Sequence, residues 1–232
     1  MKNPIVVSLG GSLIAPDKIN WVFIRAFREV IVRQIKKEKK FIIVTGGGSI
    51  ARKYQEAAEK VVKLTNDDRD WLGIHATRMN AHLIKTVFRN YAHPRINKNP
   101  RTKEDISSHF AKGESVMVAA GWRPGWSTDY VATILAERFK SNTLINLSNI
   151  NYAYDKDPKK FKNAKIIKTI DWKGFRKIVG NRWSPGLNAP FDPIASALAQ
   201  KIGLRVIITN GKDLENLENI FNQKKFTGTI IE

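Results

Sequence analysis

Cysteine is absent from the 232-residue sequence, which excludes disulfide bonds and thiolate-ligated zinc sites. The chain also has no run of 18 apolar residues, and the apolar stretch near its N-terminus is interrupted by Gly10, Gly11 and Ser12. We therefore expect neither a membrane partner nor a signal peptide, and we predict a soluble, cytoplasmic protein. Acidic residues are scarce as well: 21 Asp and Glu stand against 40 Lys and Arg, giving a formal net charge of +19.

The positive charge has two interpretations. A basic surface supplies most of the sequence-independent affinity for nucleic acid, so RNA binding is one of them. The lysines are scattered, however, in groups near positions 36–40, 156–165 and 224–225, and no RNA-binding motif interleaves aromatic residues with them. We interpret the charge as solvated lysine faces and do not predict nucleic acid as a partner, because an anionic nucleotide substrate needs only a local excess of positive charge.

Apolar runs and helical patterns alternate along the chain. This alternation predicts an α/β fold, a three-layer α/β/α sandwich with a mostly parallel central sheet. No segment resembles an inter-domain linker, so we predict one domain over residues 1–232 with two lobes, roughly 1–140 and 141–232, that share the sheet. The predicted strands are Ile5–Leu9, Phe41–Thr45, Val116–Ala120, Thr143–Leu147, Arg205–Thr209 and Thr229–Ile231. The predicted helices are Trp21–Lys37, Ser49–Leu64, Trp71–Asn90, Thr128–Phe139, Trp172–Val179, Pro193–Ile202 and Leu214–Phe221. Segments 90–104 and 181–193 are predicted loops.

Two glycine clusters each follow a predicted strand and precede a helical segment. The first is Gly10-Gly11-Ser12, and the second is Gly46-Gly47-Gly48-Ser49-Ile50-Ala51-Arg52. A strand, a glycine loop and a helix in this order bring bare backbone N–H groups up to phosphate. Two such loops on neighbouring strands predict two phosphate groups held close together, as in a phosphotransferase that handles nucleotides.

Other interpretations of the glycines are weaker. Gly46-x-Gly48-x-x-Ala51 fits a relaxed dinucleotide-binding pattern, but no strand lies between its helix and Asp70, which disfavours a dehydrogenase. A Walker loop is absent, because neither glycine cluster ends in Gly-Lys-Ser/Thr. Tight turns alone are a further explanation. Arg52 lies one turn into the helix and can reach back to an anion at its start, although pairing with Glu56 is the alternative.

A third segment, Gly121-Trp122-Arg123-Pro124-Gly125-Trp126-Ser127-Thr128-Asp129, lies between a predicted strand and a helix. Ser127 and Thr128 stand where an N-cap is expected, and their hydroxyl groups also suit a phosphate or a base edge. Trp122 and Trp126 are suited to stacking on a base, or else to packing at a subunit interface.

Together these segments resemble the amino acid kinase superfamily, and specifically its archaeal uridylate kinases. The resemblance covers essentially the whole chain. Beyond the glycine clusters and the segment from Gly121 to Asp129, it is carried by Asp70-Trp71-Leu72-Gly73-Ile74-His75-Ala76-Thr77-Arg78-Met79-Asn80-Ala81, Ser148-Asn149, Tyr154-Asp155-Lys156-Asp157-Pro158 and Asp192-Pro193.

The resemblance implies the amino acid kinase fold and transfer of the γ-phosphoryl group of ATP to UMP, with Mg²⁺ and usually in a homohexamer that serves pyrimidine nucleotide synthesis. It assigns the N-terminal lobe to UMP and the C-terminal lobe to ATP. It implies catalytic roles for Asp192 and Arg52. The UMP-binding residues implied are Gly47, Asp70, Trp122, Arg123, Pro124, Gly125, Trp126, Ser127 and Thr128. The ATP-binding residues implied are Gly10, Gly11, Ser12, Gly48, Arg52, Ser148, Asn149, Tyr154 and Asp157. No side chain is assigned as a metal ligand.

The chain departs from the family pattern in two places. Many relatives carry lysine where this chain has Ser8, and loss of one preorganised cation at a transferring phosphate costs on the order of 100-fold in rate. The family's Asp-Gly pair is replaced by Asn151-Tyr152, which predicts a differently shaped turn on the ATP side. These departures keep a second hypothesis open, a nucleotide-binding homologue with impaired catalysis. A kinase of the same superfamily with another acceptor is a third, which Asp70 and the segment from Trp122 to Thr128 disfavour.

Overall fold

The computed structural model describes residues 3–102, 110–158, 160–182 and 189–232. Its strands are β1 (Ile5–Leu9), β2 (Phe41–Thr45), β3 (Val116–Ala119), β4 (Thr143–Ser148), β5 (Ala153–Tyr154), β6 (Ile166–Ile167), β7 (Thr169–Ile170), β8 (Arg205–Asn210) and β9 (Thr229–Ile231). Its helices are α1 (Gly11–Ile14), α2 (Trp21–Ile35), α3 (Gly48–Glu59), α4 (Asn66–Val87), α5 (Thr128–Arg138), α6 (Trp172–Val179), α7 (Pro193–Lys201) and α8 (Leu214–Phe221).

The central sheet has the strand order β3-β2-β1-β4-β8-β9-β7. The first five strands in this order are parallel to one another, whereas β9 is antiparallel to β8 and β7 is parallel to β9. A separate two-stranded ribbon pairs β5 with β6. The carboxyl ends of the five parallel strands therefore meet at one edge of the sheet, where ligands bind in open α/β folds.

Helices cover both faces of the sheet. One apolar cluster packs α5, α6 and α7 against one face, and the other packs α1, α2, α4 and α8 against the opposite face. The strands between them read as continuous apolar runs because both of their faces are buried, as in β2 with Phe-Ile-Ile-Val-Thr. The predicted three-layer α/β/α sandwich with a mostly parallel sheet is confirmed.

Most predicted elements are confirmed to within a few residues, and the differences have local causes. The helix predicted from Trp71 begins at Asn66, because Thr65 and Asp68 form a reciprocal capping box. The helix predicted over 49–64 ends at Glu59. Four elements were missed, namely α1, β5, β6 and β7. Part of the predicted loop 90–104 runs beside β3 through bridges from Ala92 and Asn97, while its residues 103–104 and residues 183–188 of the other predicted loop lie outside the described residues.

Over the described residues, no helix combines the length and the apolar character that a membrane crossing requires.

Candidate functional site

The carboxyl edge of the sheet brings the sequence-predicted segments together. The first glycine cluster follows β1, the second follows β2, and the tryptophan-containing segment follows β3. Ser148 ends β4, and Asn210 and Gly211 follow at the end of β8. Residues that are more than a hundred positions apart in the sequence therefore line one crevice.

The two glycine clusters touch through their backbones. They lie on paired strands, as predicted, and the Gly46 N–H donates to the Leu9 carbonyl at 2.9 Å. A Cβ atom added to Gly11 would lie 2.2 Å from the Gly48 nitrogen, and Gly48 itself has φ +67°. Because the atoms on both sides of this contact belong to the backbone, no side chain can rotate away to make room for an added methyl group. The loops need glycine for close approach, and at Gly48 for a left-handed conformation as well.

Two buried polar residues of α4, which are not among the site residues predicted from the sequence, hold the second glycine cluster and the start of the segment that follows β3. The Asn80 amide donates to the Gly46 carbonyl at 2.7 Å. The Thr77 hydroxyl accepts from the Gly121 N–H at 2.8 Å, while the Thr77 carbonyl accepts from Thr45 Oγ1 at 2.9 Å. One helix thus fixes the loops that follow both β2 and β3.

The same helix holds the segment from Gly121 to Ser127, which we call the tryptophan loop. An Asp70 carboxylate oxygen accepts from the Gly125 N–H at 2.7 Å, and burial raises the pKa of Asp70. Arg78 Nη2 donates to the Trp122 carbonyl at 3.1 Å. Gly125 has φ +85°, which favours glycine at this turn. Asp70 therefore fixes the loop as well as being a candidate for ligand binding.

The aromatic rings of the tryptophan loop stack on one another. Trp122 and Trp126 lie 6.1 Å apart, and Trp126 and Tyr130 lie 4.3 Å apart, with interplanar angles of 28° and 18°. The Arg123 guanidinium lies 4.3 Å from the centre of the Trp122 ring. Trp126 is thereby stacked with two other rings of the protein, so the loop presents a wall of stacked rings. Pro124 and Gly125 form its turn.

Helix α5 begins directly after this loop. The Ser127 hydroxyl accepts from the Tyr130 N–H at 3.1 Å, which makes Ser127 the N-cap and Thr128 the first helical residue, as the sequence predicts. The next residue, Asp129, faces the predicted catalytic residue Asp192 and accepts a hydrogen bond from the Asp192 N–H at 3.3 Å. Ser8 Oγ donates to the other carboxylate oxygen of Asp129 at 3.1 Å.

Asp192 is buried and caps α7 by accepting from the Ala195 N–H at 2.6 Å. Burial raises the pKa of Asp192, although the Ala195 N–H and the Ser127 hydroxyl partly offset this effect by hydrogen bonding to its carboxylate. Burial, together with the nearby charge of Asp192, raises the pKa of Asp129 to about 7. Asp129 is the last residue of the segment that begins at Gly121 and is not among the site residues predicted from the sequence.

The ends of β4 and β8 form the other half of the crevice. Ser148 Oγ accepts from the Ile150 N–H at 3.3 Å, and the Ser148 carbonyl accepts from the Gly211 N–H at 2.8 Å. Asn149 is exposed, Tyr154 lies half-buried in β5, and Asp157 lies in the turn that follows. The departing residue Asn151 accepts at Oδ1 from the Asn210 amide at 3.0 Å. Tyr152, which stands where the family has glycine, does not have a positive φ.

Two predicted ATP-binding residues, Gly11 and Ser12, lie in α1, and the Gly10 N–H donates to the Leu147 carbonyl at 3.0 Å. Arg52 lies exposed on α3, in a groove that it lines with Gln55, Glu56, Glu59, Lys60 and Arg69. The segments that follow β1, β2, β3 and β4 thus bring most of the predicted site residues to one edge of the sheet, whereas Arg52 lies exposed on α3. Among the described residues, no group of three or more acidic or histidine side chains is placed to hold a metal ion.

Known proteins resemble this chain in sequence and in structure. The sequence profile described as "Amino acid kinase family" matches residues 3–210. A uridylate kinase of Thermoplasma volcanium is 35% identical over 100% of this chain and 99% of its own length, and one of Thermoplasma acidophilum is 34% identical over 100% and 98%. The crystal structure of the uridylate kinase from Archaeoglobus fulgidus is 28% identical, with a TM-score of 0.81 over 99% of this chain and 100% of that one. The chain therefore belongs to the amino acid kinase family, in the group of its archaeal uridylate kinases.

Proposed function

We propose that this chain transfers the γ-phosphoryl group of ATP to UMP, giving ADP and UDP. The observation that carries the proposal is the full-length similarity to uridylate kinases, with 35% identity to one of them, combined with two glycine loops in backbone contact at one edge of the sheet. Phosphoryl transfer asks the protein to align donor and acceptor and to neutralise developing charge, with little covalent chemistry of its own.

The glycine loops are suited to both tasks. We expect Gly10, Gly11 and Ser12 to contact the ATP phosphates, and Gly47 and Gly48 to lie between donor and acceptor. Backbone N–H groups bind phosphate oxygens without a change of protonation, and their fixed positions avoid reorganisation during transfer. Arg52 would reach the phosphates from α3, and its exposed position leaves its guanidinium free to move towards them.

The acceptor nucleotide would lie between α4 and the tryptophan loop. We expect Asp70 to accept hydrogen bonds from the ribose hydroxyls, since only part of its hydrogen-bonding capacity is used by Gly125. The loop residues that would surround UMP are Trp122, Arg123, Pro124, Gly125, Trp126, Ser127 and Thr128. Because Trp126 already stacks on two protein rings, we expect the loop to bound the pocket as a wall.

The adenine of ATP would lie on the other side of the crevice, with Ser148, Asn149, Tyr154 and Asp157. Magnesium would enter bound to the phosphates of ATP, as part of the substrate. Bound there, Mg²⁺ would neutralise charge on the transferring group.

A second candidate is a nucleotide-binding homologue that has lost catalysis. Ser8 favours it, because its hydroxyl group donates to the Asp129 carboxylate and brings no cation to the site. The test is ADP production from MgATP with UMP, with CMP and a blank without acceptor alongside. Turnover specific to UMP supports the kinase, whereas a rise in melting temperature with UMP but no turnover supports the binding protein.

We further propose that the protein works in the cytoplasm, in pyrimidine nucleotide synthesis, as a homohexamer. Several large apolar side chains are exposed in the single chain and are suited to contacts between subunits, namely Trp21, Val22, Tyr54, Val61, Val62 and Met79. Light scattering on the eluted protein measures the assembly, and a monomeric mass at micromolar concentration would contradict this part of the proposal.

A further inference from the structure

A cleft of about 700 Å³ lies beside α8, apart from the crevice of the candidate site. One wall of the cleft is α8 with the residue that caps it. The other is the segment 223–228, which leads into β9, together with Lys168 and Thr169 at the start of β7. Its volume is within the range of roughly 300–1,000 Å³ that is typical of small-molecule sites. None of the site residues predicted from the sequence lines this cleft, so a ligand bound there would not occupy the glycine loops.

The basic side chains of the cleft are all on one wall. Lys168, Lys224 and Lys225 belong to the wall formed by the strand segments, which we call the lysine wall, and all three are exposed. Within the described part of the chain, none of them forms an ion pair. Lysine ammonium groups bind phosphate as point charges, and unpaired ones on one wall attract an anion with several negative charges. The lysine wall therefore favours a polyphosphate chain.

The α8 wall offers the opposite kind of group. Asp213 is the N-cap of α8 and accepts from the Asn216 N–H at 2.9 Å. Glu215 is exposed, and its carboxylate has no hydrogen-bond or ion-pair partner among the described residues. A free carboxylate repels phosphate but accepts hydrogen bonds from the hydroxyl groups of a ribose. Tyr152 and Phe226 add aromatic rings, on which a base can stack. Phosphates against one wall and a nucleoside against the other describe a nucleoside triphosphate.

The cleft is connected to the proposed ATP side of the crevice through the turn of residues 210–213. Asp213, which lines the cleft, donates its N–H to the Asn210 carbonyl at 3.2 Å. The Asn210 amide donates to Asn151 Oδ1 at 3.0 Å, and Asn151 precedes Tyr152, which lines the cleft as well. A ligand that contacts both Asp213 and Tyr152 therefore restrains the 210–213 turn from two directions.

The same turn contacts two segments that are expected to bind ATP. The Gly211 N–H donates to the Ser148 carbonyl at 2.8 Å. Gly211 also packs against Leu13 of α1, because a Cβ atom added to Gly211 would lie 2.2 Å from Leu13 Cδ1. Ser148 and Ser12 of α1 are both predicted ATP-binding residues, so a change in the position of the turn would reach the donor side of the crevice.

We propose that the cleft beside α8 is a second nucleotide site, which binds a nucleoside triphosphate with its phosphates on the lysine wall. Its occupation strengthens ATP binding at the crevice by holding the 210–213 turn in place. Coupling between two sites needs an element that both ligands bias, and the 210–213 turn is that element. The effect on ATP rests on the proposed function, because it requires the crevice to bind ATP, whereas binding at the cleft does not.

The first test measures binding without activity. Because the chain has no cysteine, T169C places a single thiol on the lysine wall, and a fluorescent label on it reports occupation of the cleft. UTP, CTP and GTP are titrated separately at about 0.15 M KCl, which screens exposed charges beyond about 8 Å. We expect a saturable change with at least one of them, and K224E/K225E in the same background should raise its Kd at least about tenfold. K173E/K177E changes the net charge equally on α6, outside the cleft, and should shift the Kd less than about threefold.

Inorganic tripolyphosphate distinguishes a nucleotide site from a site for the phosphate chain alone. We expect it to bind at least about tenfold more weakly than the tightest nucleotide, because it lacks the ribose and the base. Equal Kd values would overturn the assignment of a nucleotide. Equal Kd values for K224E/K225E and K173E/K177E would overturn the site, and so would the absence of a fluorescence change with all three nucleotides.

The second test follows the KM for MgATP at saturating UMP, with and without the tightest-binding nucleotide. Competition at the crevice raises this KM in every variant, whereas occupation of the cleft lowers it only where the lysine wall is intact. We therefore expect the ratio of KM with nucleotide to KM without it to be at least about fivefold lower in the wild type and in K173E/K177E than in K224E/K225E. Equal ratios would overturn the coupling. Lack of turnover in the wild type would count against the proposed function instead, and the fluorescence titration would still decide whether the cleft binds a nucleotide.

Discussion

The two halves of the crevice are built differently. On the proposed acceptor side, α4 holds the second glycine loop and the tryptophan loop through Asn80, Thr77, Asp70 and Arg78, and the second glycine loop touches the first backbone to backbone. On the proposed donor side, the rim beyond the glycine loops consists of strand ends, a ribbon of two-residue strands and half-exposed polar side chains. Steric contact thus determines residue identity on the first side. On the second side, the fold leaves room for replacements such as Asn151-Tyr152.

The largest expected effect comes from breaking the contact between the glycine loops. In G11A, the new methyl group would lie 2.2 Å from the Gly48 nitrogen, so one loop must move. We expect kcat/KM to fall at least about 100-fold, because phosphoryl transfer depends on alignment, and the free energy of unfolding to fall by about 1–3 kcal/mol. G73A is the control, since its methyl group would meet its nearest neighbour at 3.6 Å and alanine favours helix. Wild-type kinetics in G11A would refute the steric argument.

The second-largest effect is expected from D70A, which should change the KM for UMP much more than the KM for ATP. D70A removes the acceptor for the Gly125 N–H and the proposed acceptor for the ribose hydroxyls. We expect the KM for UMP to rise about 10- to 100-fold, in line with loss of one or two hydrogen bonds to a charged group, with a much smaller change in the KM for ATP. Initial-rate kinetics with each substrate varied in turn measures the split, and D67N supplies the control on the same helix. An equal rise in both KM values would mean that Asp70 acts on the fold as a whole.

A smaller effect is expected from R78M. The methionine side chain keeps apolar packing but removes the donor to the Trp122 carbonyl, and the free energy of unfolding should fall by about 1 kcal/mol. We expect the KM for UMP to rise by a few-fold as the tryptophan loop loosens. K85M removes a similar bond to the Pro94 carbonyl on the same helix, away from the loop, and should leave the KM for UMP unchanged. The comparison fails if the two variants alter UMP binding equally.

The smallest effect is expected on the donor side. The double variant N151D/Y152G restores the family's residue pair at a turn whose described contact is the hydrogen bond between Asn151 and Asn210. We expect the KM for ATP to change by less than about fivefold, corresponding to at most about 1 kcal/mol, and the KM for UMP to stay constant. Isothermal titration with a non-hydrolysable ATP analogue provides a second measurement. A loss of UMP binding here would show that the two sides are coupled.

Much of the fold and the position of the glycine loops could be predicted from the sequence, because they depend on patterns within a single segment. Strand runs, helical periodicity and glycine spacing are local, and they placed β1, β2 and both loops correctly. Asn80 and Thr77 were missed because their partners are backbone groups of segments far along the chain. The same holds for Asp129, whose partners lie 121 and 63 residues away. Strands of two residues, such as β5 and β7, are too short to show any periodicity.

The reversed end of the sheet has a consequence for synthesis on the ribosome. β7 obtains its partner only when β9 has been made, about 60 residues later, because β9 lies between β8 and β7. At typical elongation rates, this interval lasts roughly 3–12 seconds. Throughout that time the growing chain carries β7 unpaired, and once β8 is made its outer edge waits for β9 as well. An unpaired strand edge can pair with a neighbouring chain, and the two-residue length of β7 limits this risk.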